Sequence, residues 1–133
     1  GKEAEEKYRE LTVEKSSNIG VRSIAGMGAS PGVVKGAVYL ISLTEQNIAS
    51  EIARMPEGSV LVTESTQPAL TLACNKAAAI VTNEGGILSH AAIISRELNI
   101  PCVVGTENAT EVLKTGQIVR VDGTIGVVDI INK

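Results

Sequence analysis

The sequence predicts an α/β domain with a mainly parallel central sheet, flanked by helices and by hairpins at its two ends. Three observations carry this. The strand-like runs of the middle, Val60-Leu61-Val62, Ala78 to Val81 and Cys102-Val103-Val104, are short, continuous and apolar. Such runs suit strands that are buried on both faces, as in a parallel sheet. Segments of helical spacing separate them, which is βα alternation. Near each end, two strand-like runs follow one another across a turn signal, which adds antiparallel pairing.

The elements follow in order. Lys2 to Glu14 is charge-rich and poor in apolar residues, and Ser16-Ser17-Asn18 reads as a break. Residues 1–20 are therefore expected to be a linker or a docking helix, and residues 21–133 the packed domain. Arg22 to Ala29 and Val33 to Ile41 read as two strands, with Ser30-Pro31-Gly32 turning between them. Ser42 and Glu45 have capping-box spacing. Ile48, Ile52 and Met55 then recur at helical spacing, and Pro56 and Gly58 stop that helix. Pro68 suits the first turn of a helix whose inner face carries Leu70 and Cys74. Ser89 to Leu98 predicts a helix with Ala91, Ile94 and Leu98 inward. Asn99 can take the left-handed position that ends it, and Pro101 prevents continuation. Asn108 to Leu113 is a short helix ended by Gly116. Gln117 to Val121 and Ile125 to Ile130 form a hairpin around Asp122-Gly123.

Composition excludes several functions. With 133 residues the chain has the size of one domain. Its formal net charge of −3 argues against a nucleic-acid partner, which needs a basic face. Tyr8 and Tyr39 are its only aromatic residues, too few for a base-stacking platform. No apolar run approaches membrane-spanning length, so no membrane partner is expected. Cys74 and Cys102 lie in apolar segments and suggest no disulfide scaffold, which favours a reducing, cytoplasmic setting. One histidine and two separated cysteines make no metal site. No P-loop, nucleophile elbow or dinucleotide fingerprint appears. The first residue is Gly and the leader is charged, so the chain is expected to be a piece of a longer protein.

The informative stretch runs from Thr82 to His90. It leaves a buried strand, turns through Gly85 and Gly86, and enters a helix at the only histidine of the chain. Glycines permit unusual backbone conformations and let a bulky group come close. A helix start offers free N–H donors and a positive dipole end, where phosphate groups sit well. A neutral imidazole is a nucleophile towards phosphorus. One geometry can thus serve a histidine both before and after it takes a phosphoryl group. Ser89 and Thr82 can add hydroxyl donors, and Arg96 can bind phosphate. Each also has a plainer reading: His90 as a packing residue, Ser89 as a cap, Thr82 as structural, Arg96 on a solvated face, and Gly85-Gly86 as a simple turn.

These residues resemble a known family. Thr82-x-x-Gly85-Gly86-x-x-Ser89-His90-Ala91-Ala92-Ile93, with Arg96-Glu97 following, is similar to the active-site signature of the phosphoenolpyruvate-utilising enzymes. The likeness continues through Ile100-Pro101-Cys102-Val103-Val104-Gly105-Thr106 to Asp122-Gly123, and upstream to Gly28-Ala29-Ser30-Pro31-Gly32. The resemblance implies a swivelling β/β/α domain in which His90 is the phosphorylated residue. Thr82, Gly85, Gly86 and Ser89 match the residues around it. It implies two partner domains in the same parent chain, one binding ATP and one a barrel that binds phosphoenolpyruvate or pyruvate. It implies no cofactor on this domain, with Mg²⁺ and ATP on the others. Arg96-Glu97-Leu98-Asn99-Ile100-Pro101 looks most like phosphoenolpyruvate synthase. Pyruvate phosphate dikinase usually has Thr where Leu88 stands, and Leu88 is similar to rifampin phosphotransferase. A carrier domain of either enzyme, a free-standing carrier, and a non-catalytic binding or regulatory module of this fold stay as alternatives.

Overall fold

The computed structural model describes residues 22–132, so the predicted linker or docking helix at residues 1–20 lies outside the described residues. The strands are β1 (Arg22–Ala25), β2 (Met27–Ser30), β3 (Val33–Leu40), β4 (Val60–Thr63), β5 (Ala79–Thr82), β6 (Cys102–Val104), β7 (Ile118–Asp122) and β8 (Val127–Asn132). The helices are α1 (Ile48–Arg54), α2 (Thr71–Lys76), α3 (His90–Leu98) and α4 (Ala109–Val112), and a 3₁₀ turn at Pro68–Leu70 leads into α2. All eight strands join in the order β1-β8-β7-β3-β4-β5-β6-β2. From β3 to β6 the neighbours are parallel, as the apolar runs predict. The flanks are antiparallel.

The central strands are buried on both faces, and their side chains alternate between two cores. Leu61, Ile80, Cys102 and Val104 pack with Ile52, Met55, Leu70, Cys74, Ala91 and Ala92 under α1, α2 and α3. Val60, Val62, Ala79, Val81 and Val103 pack with Val119, Val121, Val128 and Ile130 of β7 and β8. The antiparallel strands therefore curl over the second face of the parallel ones, giving helix, sheet and sheet layers. The long strand β3 joins the two sheet layers. Its first half, Val33 to Ala37, pairs with β7, and its last three residues pair with β4. Each fully buried aliphatic side chain contributes roughly 1.5–3 kcal/mol, so this double core is the main stabilising term.

The C-terminal hairpin forms as predicted, with Asp122 Oδ1 accepting the N–H groups of Thr124 and Ile125 inside its turn. The N-terminal hairpin does not. Residues 22–29 split at Gly26, where an added Cβ would lie 2.4 Å from the Val104 carbonyl oxygen. On one side of the break β1 pairs with β8, and on the other β2 pairs with β6. The Ser30-Pro31-Gly32 turn docks on the β7–β8 turn, through Gly123 N–H to Gly32 O (2.8 Å) and Gly32 N–H to Thr124 Oγ1 (3.0 Å). A turn signal alone does not say which strand the chain returns to.

Two local expectations also change. Helix α1 starts at Ile48, beyond the predicted capping box. Ser42 instead donates to the Glu64 carboxylate (2.7 Å), so a tertiary partner replaces the local cap. In α3 the buried face is Ala91, Ala92 and Ser95, while Leu98 stands exposed at the last turn. Asn99 does take the left-handed conformation, with φ 58° and ψ 42°.

Small residues on the inner face let α3 approach the sheet closely, and this leaves one polar defect. The Ser95 hydroxyl is fully buried and makes no well-formed hydrogen bond, only a weak contact with the Cys102 sulfur. Its neighbour Cys102 is held as a thiol, because burial pushes it up to about 11 against smaller opposing effects of Ser95 and Arg96. Replacing Ser95→Ala removes an unsatisfied hydroxyl and adds a better helix former. It is expected to raise unfolding stability by about 1 kcal/mol, seen as a higher urea midpoint at unchanged slope.

Candidate functional site

In a parallel sheet every connection leaves from the carboxyl ends of the strands, and ligand sites gather there. The segments after β4, β5 and β6 meet at this edge and continue the ladder past the strands. Asn83 N–H bonds Thr63 O (3.2 Å), Glu84 N–H bonds Glu64 O (3.0 Å), and Glu107 N–H bonds Asn83 O (2.9 Å). The Asn83 side chain accepts from Thr110 N–H (3.0 Å) and donates to Thr110 Oγ1 (2.8 Å), which pins α4 to the same edge.

Thr82 sits inside this framework. It is fully buried, and its hydroxyl donates to Glu84 O (2.6 Å). Its carbonyl accepts from Thr106 N–H (3.2 Å) and Thr106 Oγ1 (2.9 Å). Its hydroxyl proton is therefore spent on the loop backbone, and Thr82 serves the site by shaping the turn. Glu64 ties a further loop in, through Leu43 N–H to its Oε1 (2.8 Å) and the Ser42 hydroxyl to its Oε2 (2.7 Å). Burial pushes the Glu64 carboxyl up, but these bonds outweigh it and the net direction is down.

Gly85 and Gly86 differ. Gly85 has φ +105°, and an added Cβ would lie 3.0 Å from Ser89 Cβ and Oγ. Gly86 has nothing within 4 Å of an added Cβ. The turn therefore depends on Gly85, whereas Gly86 leaves open space beside the helix start. Ser89 is the N-cap of α3, accepting Ala92 N–H (3.3 Å) and donating to Gly86 O (2.7 Å). Arg96 reaches back over the loop, with Nη1 on Ala29 O (2.8 Å) and Nη2 on Ile87 O (2.8 Å). Both nitrogens bind backbone carbonyls, so Arg96 fastens the 85–89 loop to edge strand β2.

His90 is exposed at the first position of α3. Its Nδ1 lies 2.8 Å from Thr66 Oγ1. Thr66 is buried at 6% exposure, on the loop between β4 and the 3₁₀ turn. Sequence reasoning missed it. It stands 24 residues before His90, and only the β4–β5 pairing brings them together. The available signal was a small hydroxyl residue just past a buried strand, at the edge where the histidine loop also emerges. The bond fixes one ring nitrogen and leaves Nε2 directed away from Thr66. The N–H groups of the first helical turn have no intrahelical acceptors, and one of them is taken by Ser89. An exposed imidazole nitrogen beside free N–H donors and a glycine turn suits a nucleophile that accepts an anionic group. Among the described residues no group of three or more His, Cys, Asp or Glu could hold a metal ion.

The family model of the PEP-utilising enzyme mobile domain matches residues 55–126, which include the loops after β4, β5 and β6. The chain belongs to that family. The mobile domain is 51% identical over 121 residues to phosphoenolpyruvate synthase of Pyrococcus furiosus, covering 90% of this chain and 14% of that protein. It is 47% identical over 127 residues to a probable phosphoenolpyruvate synthase of Archaeoglobus fulgidus, covering 96% of this chain and 16% of that one. With an uncharacterized phosphotransferase of Bacillus subtilis, YvkC, it shares 44% identity over 110 residues, covering 83% of this chain and 13% of that one. The chain thus spans about one sixth or less of the length of these relatives. Among solved structures, an NMR structure of Enzyme I (nEIt) superimposes with a TM-score of 0.53 at 34% identity, covering 60% of this chain and 33% of that one. Aconitase X of Thermococcus kodakaraensis shares the fold, with a TM-score of 0.59 at 21% identity, covering 83% of this chain and 98% of that one. No helix among the described residues is long and apolar enough to cross a membrane.

Two outcomes follow for the site scaffold. Gly85→Ala is expected to lower stability by about 1–2 kcal/mol, because Ala is strained at positive φ, while Gly86→Ala is tolerated. Paired urea titrations check this, and equal losses would contradict the assignment. Glu64→Gln is expected to destabilise at neutral pH. A depressed carboxyl contributes stability above its unfolded range, lost as pH falls through the folded value. The gap between Glu64→Gln and wild type should therefore close on acidification, measured as unfolding midpoint against pH.

Proposed function

We propose that this domain carries a phosphoryl group on His90 within a longer phosphotransferase of the phosphoenolpyruvate synthase type. The observation that supports this best is the exposed His90 at a helix start, with Nδ1 bonded to Thr66 at 2.8 Å. In the productive tautomer Nδ1–H donates to the Thr66 hydroxyl oxygen, and the lone pair is on Nε2. Nε2 then attacks phosphorus, a new N–P bond forms, and the bond from phosphorus to its leaving oxygen breaks. Thr66 keeps the ring oriented throughout, and the first-turn N–H groups and the Gly86 gap receive the phosphoryl oxygens.

The donor is ATP, bound on another domain of the parent chain. Attack at its β-phosphorus releases AMP, and hydrolysis of the pyrophosphohistidine releases the γ-phosphate as inorganic phosphate and leaves the β-phosphoryl group on the histidine. The acceptor is pyruvate, as its enolate, on a phosphoenolpyruvate-binding barrel of the same parent. Transfer breaks the N–P bond, forms phosphoenolpyruvate and returns the neutral imidazole. Mg²⁺ belongs to those other domains, where it neutralises phosphate charge. This chain's part is to position one nitrogen and to exclude misaligned attack. Similarity to phosphoenolpyruvate synthases over 90% and 96% of the chain favours that parent over the other phosphotransferases of the family.

In the full-length parent, His90→Ala is expected to abolish labelling from β-phosphate-labelled ATP without loss of fold. Thr66→Val is expected to slow phosphotransfer by about tenfold to a hundredfold, since ring misorientation alone has that effect, and Thr66→Ser should restore it. Heteronuclear NMR of the phosphorylated ring identifies the bonded nitrogen. A phosphoryl group on Nδ1 would overturn the role given to Thr66.

A further inference from the structure

Arg96 is a cation without an anion. Its Nη1 lies 2.8 Å from Ala29 O and its Nη2 2.8 Å from Ile87 O, and both acceptors are neutral carbonyls. Among the described residues the ion pairs are Arg54 with Glu51 and Arg120 with Asp129. A guanidinium stays protonated at any working pH, so this charge is neither paired nor titrated away. The other basic residue between Met55 and Leu113 is Lys76, which binds Ile52 O at 2.7 Å. Lys76 belongs to the opposite edge of the sheet, where Gly58 N–H bonds Lys76 O just before β4 begins.

Its place in the fold brings the charge to the histidine. Arg96 follows His90 by six residues on α3, about 9 Å along the helix axis. Helical side chains lean toward the helix N-terminus. This one runs back far enough for Nη2 to reach Ile87 O, three residues before His90. Three residues span at most about 11 Å even when extended. Here the loop is folded, because Ser89 N–H bonds Gly86 O at 3.0 Å. The guanidinium therefore stands beside the start of α3, within about a Debye length of the imidazole.

We infer that Arg96 is a fixed counter-charge for the phosphorylated form of His90, clamped beside the helix start by Ala29 O and Ile87 O and acting through space. The inference rests on the carrier reading and deepens it by naming a supporting residue for its charged state. A phosphoryl group brings close to two negative charges. The start of α3 answers them with partial charges, and Arg96 adds a full one. The clamp already holds that charge, so none of it needs to reorganise when the group arrives. Nη1 and Nη2 stay on carbonyls, so no contact to the phosphoryl group has to break before transfer. Glu84, Glu97 and Glu107 are exposed on the same loops and helix and oppose this field, which keeps the net support moderate.

The test is an equilibrium measurement on the full-length parent with phosphate-labelled phosphoenolpyruvate. In that direction Nε2 forms the N–P bond, the enol oxygen leaves phosphorus, and the enolate takes a proton to become pyruvate. The readout is the fraction of phosphohistidine at a fixed ratio of phosphoenolpyruvate to pyruvate. That fraction does not depend on how fast the domain reaches its partners. Arg96→Gln and Arg96→Met are neutral variants with and without a donor. Each is expected to shift the equilibrium about three- to tenfold toward the free imidazole at low salt, the effect of one charge at about 10 Å on a doubly charged group. At about 1 M salt the shift should fall below about twofold. Arg96→Lys keeps the charge and should keep the wild-type equilibrium, while phosphotransfer slows because an ammonium does not reproduce the two-carbonyl fork. An unshifted equilibrium in the folded neutral variants, a shift that salt leaves unchanged, or an equal shift in Arg96→Lys overturns the counter-charge and leaves the carrier reading standing. Absence of phosphohistidine in the wild type overturns the carrier reading itself.

Discussion

Parallel pairing of β4 with β5, in the register that sets Thr63 beside Thr82, is the constraint on which the site depends. It sends two connections out of the same sheet edge, side by side. One carries Thr66 and the other carries His90. The ladder does not stop at the strand ends, because Asn83 and Glu84 go on bonding the 63–64 backbone. This extension holds the start of the histidine loop as firmly as a strand. The 2.8 Å contact between Thr66 and His90 is thus a product of sheet register, and a shift by one residue would reverse every side chain at that edge.

Apart from Thr66, which bonds the imidazole itself, the polar side chains around the histidine loop are spent on the backbone. Thr82 holds Glu84, Ser89 holds Gly86 and caps α3, and Arg96 holds Ala29 and Ile87. The result is a well-tied loop with an exposed imidazole at its tip. For a carrier this division has a physical logic. A group held by fixed salt bridges would be stabilised in the ground state, which opposes its departure.

Much of this was legible in the sequence, and the limits follow from what each signal reports. Continuous apolar runs gave the parallel centre, because burial on both faces leaves no alternation. His90, Gly85, Ser89 and the left-handed Asn99 were readable because glycines, caps and helix ends are local chemistry. The first hairpin was not, since Ser30-Pro31-Gly32 marks a turn but not its destination. Ser42 was misread because a distant carboxylate, Glu64, competed for it. Leu98 was misplaced because the helix presents its small residues to the sheet. Thr66 was invisible for the same general reason: its role is set by tertiary pairing, and no spacing along the chain encodes that.

The fold by itself decides little about chemistry. A protein named for an aconitase activity shares this architecture at 21% identity, a level that shows the fold alone. What distinguishes the present chain is local and can be named atom by atom. Gly85 at φ +105° lets the loop turn tightly against Ser89. Ser89 then caps the helix one residue before the histidine, so that the imidazole and the first-turn N–H groups share the helix start. Thr66 occupies one ring nitrogen from a neighbouring strand. Remove any one of these and the layers would still pack, because both cores lie below this edge. The site therefore sits on the rim of the sheet, where Gly85, Ser89 and His90 are set by turn and cap chemistry while Thr66 and Thr82 are held by burial as well.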